Sequence, residues 1–357
     1  MKLLFLSDAR SFHTKRWVDY FVNQGYESYL FSLEKSQGTK AFEIFISPKS
    51  EYPLLKYLLA LPQLKKIIKE IEPDLVNAHF IPNYGFLGAL SKRKPLVVSA
   101  WGSDVLVSSK KSFFHRTRAK YVLTKADLVT CDGMNMFQEL CALGVEKDKI
   151  VLAPMGVELN LLRERSISGR FENKEEIIIL SMRSLEPVYD LKTLIKAVPL
   201  IISQTHKKLE FWIIGEGSQK EELVKLSLNL GIERNIEFRG YISREELEDC
   251  LQKADIYIST SLSDSTSVSL LEAMASGLLP VVSDIPGNRE WIEEGKNGFL
   301  FPIGDYQALA QKIVWVINDF KDIEKLRMEN HKIIREKALW EENMKIIEGK
   351  FLELFKR

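Results

Sequence analysis

Cysteine is scarce: Cys131, Cys141 and Cys250 are the only three in 357 residues, with no C-x-x-C pair and none of the usual zinc spacings. That excludes a disulfide-stapled secreted scaffold, and buried thiols in a reducing cytoplasm are expected. Long apolar runs are absent too. The opening "MKLLFLSDAR" meets Asp8 after an apolar run too short for the apolar region of a signal peptide. The longest uncharged stretch, residues 75–91, contains Asn77, His79, Pro82 and Asn83 and is not expected to span a membrane. Neither sign of charge dominates, with 50 Lys+Arg against 49 Asp+Glu, so nucleic acid is not an expected partner. No D-x-D pair or His/Asp cluster occurs, and neither a metal nor another cofactor is expected. Internal repeats and low-complexity tracts are missing as well.

What the chain does have is strand–helix alternation. In the first half, apolar runs at 3–7, 28–33, 75–78, 96–100, 128–131 and 150–153 read as strands. Helix-length segments at 13–23, 54–70, 83–90, 113–125 and 134–143 lie between them. After the polar stretch "ISGRFENKEE" the pattern restarts, with strands at 177–182, 210–215, 236–240, 255–260 and 279–284 around helices at 191–203, 220–230 and 244–252. The strands are continuously apolar rather than alternating, which implies parallel sheets covered on both faces. An α/β chain of two doubly wound domains, divided near 163–175, is the expected architecture. Charge divides as well. Residues 1–160 hold 22 Lys+Arg against 16 Asp+Glu and the remainder 28 against 33, which fits two domains with different neighbours or simple variation between solvated faces. The end of the chain, with Leu339, Met344, Ile347, Phe351 and Leu354, reads as an amphipathic helix that needs a groove.

One loop carries chemistry. "STSLSDSTSVSLLEAMASGLLPVVSD" follows a buried strand and holds Asp264 and Glu272, with seven residues between them. Ligands of open α/β sheets bind beyond strand carboxyl ends. The helix expected to begin near Ser267 opens with unpartnered amides and a positive dipole end, a seat for a phosphate. Small residues at 265–267 would let a ligand reach the backbone, and Glu272 could accept from a vicinal diol such as a ribose. Ser269-Leu-Leu-Glu272 equally fits a capping box in which Glu272 serves only its own helix.

With "EAMASGLLPVVSDIPGNREWI" and "NGFLF" downstream, this pattern resembles the family 4 glycosyltransferases, closely over residues 176–305 and loosely in the first half. The resemblance implies the GT-B fold, two Rossmann-like doubly wound parallel-sheet domains facing an interdomain cleft. Residues 1–165 would bind the acceptor and 175–338 the nucleotide sugar, with 339–357 a helix packing back on the first domain. It further implies retaining transfer of a hexose from a nucleotide-sugar donor, without a metal, in surface polysaccharide or glycolipid synthesis. By position Glu272 would hold the ribose, Asp264 the transferring sugar, and the amides of Ser265, Thr266, Ser267 and Val268 the sugar and pyrophosphate. Arg183 in "SMRSLEPVYDLK" would stabilise charge on the leaving diphosphate; a lone arginine at a strand end is otherwise a surface residue. Gly215 and Gly217 match the family's second glycine loop, and the segment with Tyr241 and Ile242 matches the part that meets the base. Departures are visible. The first acid is Asp264 where Glu is usual, and Tyr189 stands where a lysine is usual, leaving Lys192 as a nearby candidate. The glycine-rich first loop is replaced by "SDARSFHTKRW", and a common His-Gly pair by Trp101-Gly102-Ser103-Asp104.

On the acceptor side, His13, Arg16, His79, Trp101 and Asp104 lie at expected strand ends facing the cleft, with His79 and Asp104 the catalytic candidates and ordinary core or surface positions the alternative. The stretch 108–125, with Lys110, Lys111, Arg116, Arg118, Lys120, Lys125, Phe113 and Phe114, and the amphipathic 53–71 fit an anionic membrane surface or a basic solvated face. A cytoplasmic protein, peripheral on the inner face of the cell membrane and acting on a glycan or lipid-linked acceptor, is therefore expected. A non-catalytic nucleotide-sugar-binding protein and a GT-B-fold epimerase are the alternatives, separable by turnover on an acceptor and by release of an epimer.

Overall fold

The computed structural model describes residues 1–36, 38–50, 52–162 and 174–356. Their chain forms two compact units, Met1–Pro154 together with Met344–Arg357, and Met155–Asn343.

The first unit is built on β1 (Lys2–Leu6), β2 (Glu27–Ser32), β3 (Phe42–Phe45), β4 (Leu75–His79), β5 (Leu96–Ser99), β6 (Leu128–Cys131) and β7 (Ile150–Leu152). They pair in parallel in the order β3-β2-β1-β4-β5-β6-β7. The second unit repeats the scheme with β8 (Glu176–Met182), β9 (Lys208–Ile214), β10 (Ile236–Gly240), β11 (Ile256–Ser259), β12 (Leu279–Ser283) and β13 (Phe299–Phe301), ordered β10-β9-β8-β11-β12-β13. Apolar residues on both faces of the central strands explain the parallel choice: β4, β5, β11 and β12 are buried along their whole length. Strand order reverses between β1 and β4 and between β8 and β11. Crevices at such reversals are where doubly wound sheets take ligands.

Several elements differ from the sequence expectation. The edge strand β3 is mostly exposed and β13 has three residues, so neither has the buried run by which a strand is read. The segment expected as one helix from 83 is a π-helical turn, Phe80–Gly85, running into an α-helix, Phe86–Ser91. Phe80 holds a φ of 65°, a left-handed conformation that costs an aromatic residue of order 1–3 kcal/mol. The first unit also ends earlier than 165. Val157 donates its N–H to Ala338 O and accepts from Trp340 N–H, both at 2.8 Å, and Leu161 is buried in a second-unit core. The last helix, Trp340–Phe355, ends in the first unit. There Phe351 stacks on Phe21 at 5.2 Å, and Glu348 accepts from the hydroxyls of Tyr20 and Tyr26 at 2.8 and 2.7 Å.

Candidate active site

Arg183 follows β8 directly and Asp264 lies in the loop after β11, so the reversal of strand order brings them together. Arg183 Nη2 donates to Asp264 Oδ2 at 2.6 Å, and Nη1 donates to Ser267 Oγ at 2.7 Å and Ser269 Oγ at 3.0 Å. The guanidinium carbon sits 4.1 Å from the centre of the Tyr189 ring. Tyr257, under the cluster, shares a hydrogen bond with Ser269 Oγ at 2.9 Å. Burial pulls the Arg183 guanidinium down, but the charge and hydrogen bond of Asp264 together with the nearby Tyr257 and Tyr189 outweigh it and hold the group above its ordinary range. A permanent cation thus stands in a nearly dry site, where it acts strongly on any charge that forms beside it.

Glycine makes this possible. A Cβ on Gly215 would stand 2.4 Å from Arg183 O, and one on Gly217 would stand 2.4 Å from Leu185 O. The two glycines therefore let the loops after β8 and β9 lie against each other, joined by Leu185 N–H to Glu216 O at 2.9 Å. They shape the backbone that presents Arg183.

The helix Val268–Ala275 is capped by Ser267, whose Oγ accepts from Leu270 N–H at 3.4 Å. The capping box from Ser269 to Glu272 does not form, because with Ser267 as cap the reciprocal position falls on Leu270. Glu272 points elsewhere, and its Oε1 accepts from Arg244 Nη1 at 2.5 Å. The helix tip is less open than expected. Ser265, Thr266 and Ser267 are buried, Thr266 Oγ1 accepting from Trp291 Nε1 at 3.3 Å, and Val268 is the half-buried residue at the tip. Lys192 turns to Glu222, 2.7 Å away, and makes no ion pair in the Arg183 cluster. Tyr241 is 79% exposed and Ile242 packs on the core below it.

In the first unit, His79 closes β4 and is fully enclosed. Its ring meets Trp17 at 5.3 Å and Trp101 at 5.1 Å, and Nε2 pairs with Asn77 Oδ1 at 2.9 Å. Burial lowers its pKa to about 3, so the ring is neutral in ordinary buffers. His13 meets Trp101 edge-on at 5.7 Å, and Arg16 lies half-buried on the same helix, Phe12–Asn23. Asp104 is also buried; its carboxylate accepts from the amides of Ile81, Trp101 and Val105 at 3.0–3.1 Å. Burial raises its pKa to about 6 in spite of those amides. Both catalytic candidates of this unit are thus enclosed, His79 between two tryptophans and Asp104 among loop amides.

Among the described residues no group of three or more His, Cys, Asp or Glu could hold a metal ion, and no helix is long and apolar enough to cross a membrane.

A family model for group 1 glycosyl transferases matches residues 163–333, and a model for glycosyl transferase 4-like proteins matches residues 2–133. The chain belongs to the group 1, family 4-like glycosyltransferases. Among its relatives, EpsD of Bacillus subtilis, named as a glycosyltransferase, is 24% identical over 93% of this chain and 91% of its own. The amylovoran biosynthesis glycosyltransferase AmsK of Erwinia amylovora is 28% identical over 65% of this chain and 59% of its own. The structure of Anabaena HepE in complex with UDP and glucose superposes with a TM-score of 0.80 at 19% identity, covering 99% of this chain and 100% of that one. The fold is GT-B.

Within this glycosyltransferase the sequence reading missed Ser269, Tyr257 and Arg244. Tyr257 looked like strand filler, and Ser269 was read only as a candidate helix cap. Arg244 opens an amphipathic helix, where an arginine ordinarily faces solvent, so spacing gave no sign of its reach to Glu272.

Proposed function

We propose that this glycosyltransferase moves a hexose from a nucleotide-sugar donor to a glycan or lipid-linked acceptor, retaining anomeric configuration and using no metal. The observation that carries the reading is the Arg183–Asp264–Ser267–Ser269 cluster at the strand reversal, with Glu272 farther along the same helix. In this reading Glu272 takes the ribose, the backbone at Tyr241 and Ile242 the base, and Arg183 with the Val268 amide the diphosphate. When the bond from the anomeric carbon to the diphosphate oxygen breaks, its electron pair stays on that oxygen, where Arg183 stabilises it. The acceptor oxygen bonds to the anomeric carbon and its proton passes to the departing phosphate. Asp264 orients the sugar hydroxyls.

The UDP and glucose of HepE support a uridine donor, and the amylovoran role in the name of AmsK supports a surface polysaccharide. A second feature supports an anionic membrane surface for the first unit. Helices Pro53–Ile71 and Phe113–Lys125 share one core, and their opening turns expose Leu54, Leu55, Leu58 and Leu59 on one and Phe113 and Phe114 on the other. Lys65, Lys66, Lys111 and Lys120 are exposed along the same two segments.

Thermal-shift titration with UDP-, GDP- and ADP-sugars tests the donor, and NMR of the product tests the anomer. An inverted product would overturn retention. Tight donor binding without turnover on any acceptor would favour the non-catalytic reading, and release of an epimer would favour the epimerase.

A further inference from the structure

Glu272 is nearly buried, yet among the described residues one side chain holds its carboxylate. Arg244 Nη1 donates to Oε1 at 2.5 Å, and Oε2 accepts from no described residue. Arg244 is itself braced. It is the first residue of the helix Arg244–Lys253, whose start is locked by a reciprocal capping box. Ser243 Oγ accepts from Glu246 N–H at 3.2 Å, and Glu246 Oε2 accepts from Ser243 N–H at 2.8 Å. Arg244 Nε also lies 3.7 Å from the Glu248 carboxylate, one turn farther on. The guanidinium is therefore tied at its own helix and extended toward Glu272. It also follows closely on the Gly240–Ile242 segment, to which the base is assigned above.

A carboxylate meant only to cap or solubilise its helix needs no partner on a second helix. One that must hold a fixed lone pair toward a ligand does, because a near-buried carboxylate left to rotate loses the directional part of its hydrogen bond. We propose that Arg244 is a positioning residue for donor recognition: it fixes the Glu272 carboxylate through Oε1 and leaves Oε2 as acceptor for one ribose hydroxyl. The inference rests on the donor reading above and adds a residue to it. A latch that the ribose must displace is the opposite case, since removing it would tighten binding.

The test uses the full chain and isothermal titration, first with UDP, GDP and ADP. The tightest of the three is then compared with its 2′-deoxy and 3′-deoxy forms. The unaltered protein should prefer the ribonucleotide by roughly tenfold or more over the form that lacks the bonded hydroxyl. E272Q should abolish that preference. R244Q should weaken ribonucleotide binding roughly five- to twentyfold and lower the preference to near unity, and R244K should restore part of it. R244Q/E272Q should bind no more weakly than E272Q alone. A purely structural loss in R244Q would weaken ribo and deoxy forms alike and leave their ratio intact, which would overturn the proposal, as would tighter or unchanged binding. If E272Q loses the preference and R244Q keeps it, Arg244 alone is wrong. If E272Q keeps it while nucleotide still binds, or no nucleotide binds at all, the donor reading falls and this inference falls with it.

Discussion

Arg183 is the residue on which the proposed chemistry depends most. Arg183→Ala removes the cation at the leaving group, and turnover should fall on the order of 100- to 1,000-fold, with a much smaller change in nucleotide affinity. Steady-state kinetics beside titration calorimetry reads both, and equal losses would mean the cation serves the ground state. His79 and Asp104 make a different residue-scale prediction. His79 has a folded pKa of about 3, below its ordinary 6.5, so unfolding takes up a proton and stability drops as pH falls through that window. Asp104 has a folded pKa of about 6, above its ordinary 3.8, so its contribution is present below 3.8 and lost as pH rises to 6. From about pH 4 to 6 the two slopes oppose each other and nearly cancel. Asp104→Asn should uncover the histidine slope, lowering stability by on the order of 1 kcal/mol per pH unit of acidification in that range relative to the unaltered protein. Denaturant melts at pH 4.5 and 6 measure it, and parallel pH profiles for the two proteins would refute it.

At the scale of the element, the Arg183 loop depends on its neighbour after β9. Gly217→Ala would place a methyl 2.4 Å from Leu185 O, which the backbone must move to accommodate. A cost of roughly 1–3 kcal/mol is expected, with turnover falling more than nucleotide affinity because Arg183 is carried along. Wild-type melting and kinetics would show that the two loops separate freely. The same element explains what sequence reading could reach. G-x-G after a strand was legible, since only glycine suits such an approach. Its partner was not, because the clashing atoms are backbone and carry no sequence identity. The helix Val268–Ala275 has the same lesson. Its start near Ser267 was legible, yet Ser267 and Ser269 were both candidate caps until the fold set Ser267 Oγ against Leu270 N–H and the Arg183 side chain on both hydroxyls. Strands β3 and β13 escaped because an edge strand needs less apolar surface than a central one.

For the whole molecule, the chain returns to the first unit at its end. Phe351→Ala removes the ring stacked on Phe21 and should cost about 3–5 kcal/mol, read as a lower thermal midpoint. An unchanged midpoint would mean the terminal helix adds nothing to the fold. The membrane proposal belongs to this scale also. Co-sedimentation with phosphatidylglycerol vesicles should exceed that with phosphatidylcholine and weaken with salt, each nearby Lys or Arg contributing about 1 kcal/mol. Leu58→Glu with Leu59→Glu, both at exposed positions, should abolish it without changing the thermal midpoint. Retained binding would place the contact elsewhere.

The sequence alone determined the two parallel sheets and the family, because continuously apolar strands, helix-length spacers and the Asp264-to-Glu272 stretch are local patterns along the chain. Which charges meet is set by the folded chain. Arg183 and Asp264 lie 81 residues apart, and Arg244 and Glu272 lie 28 apart on different helices. Such pairs arise where strand order reverses or two helices converge, and no periodicity within either segment encodes the other.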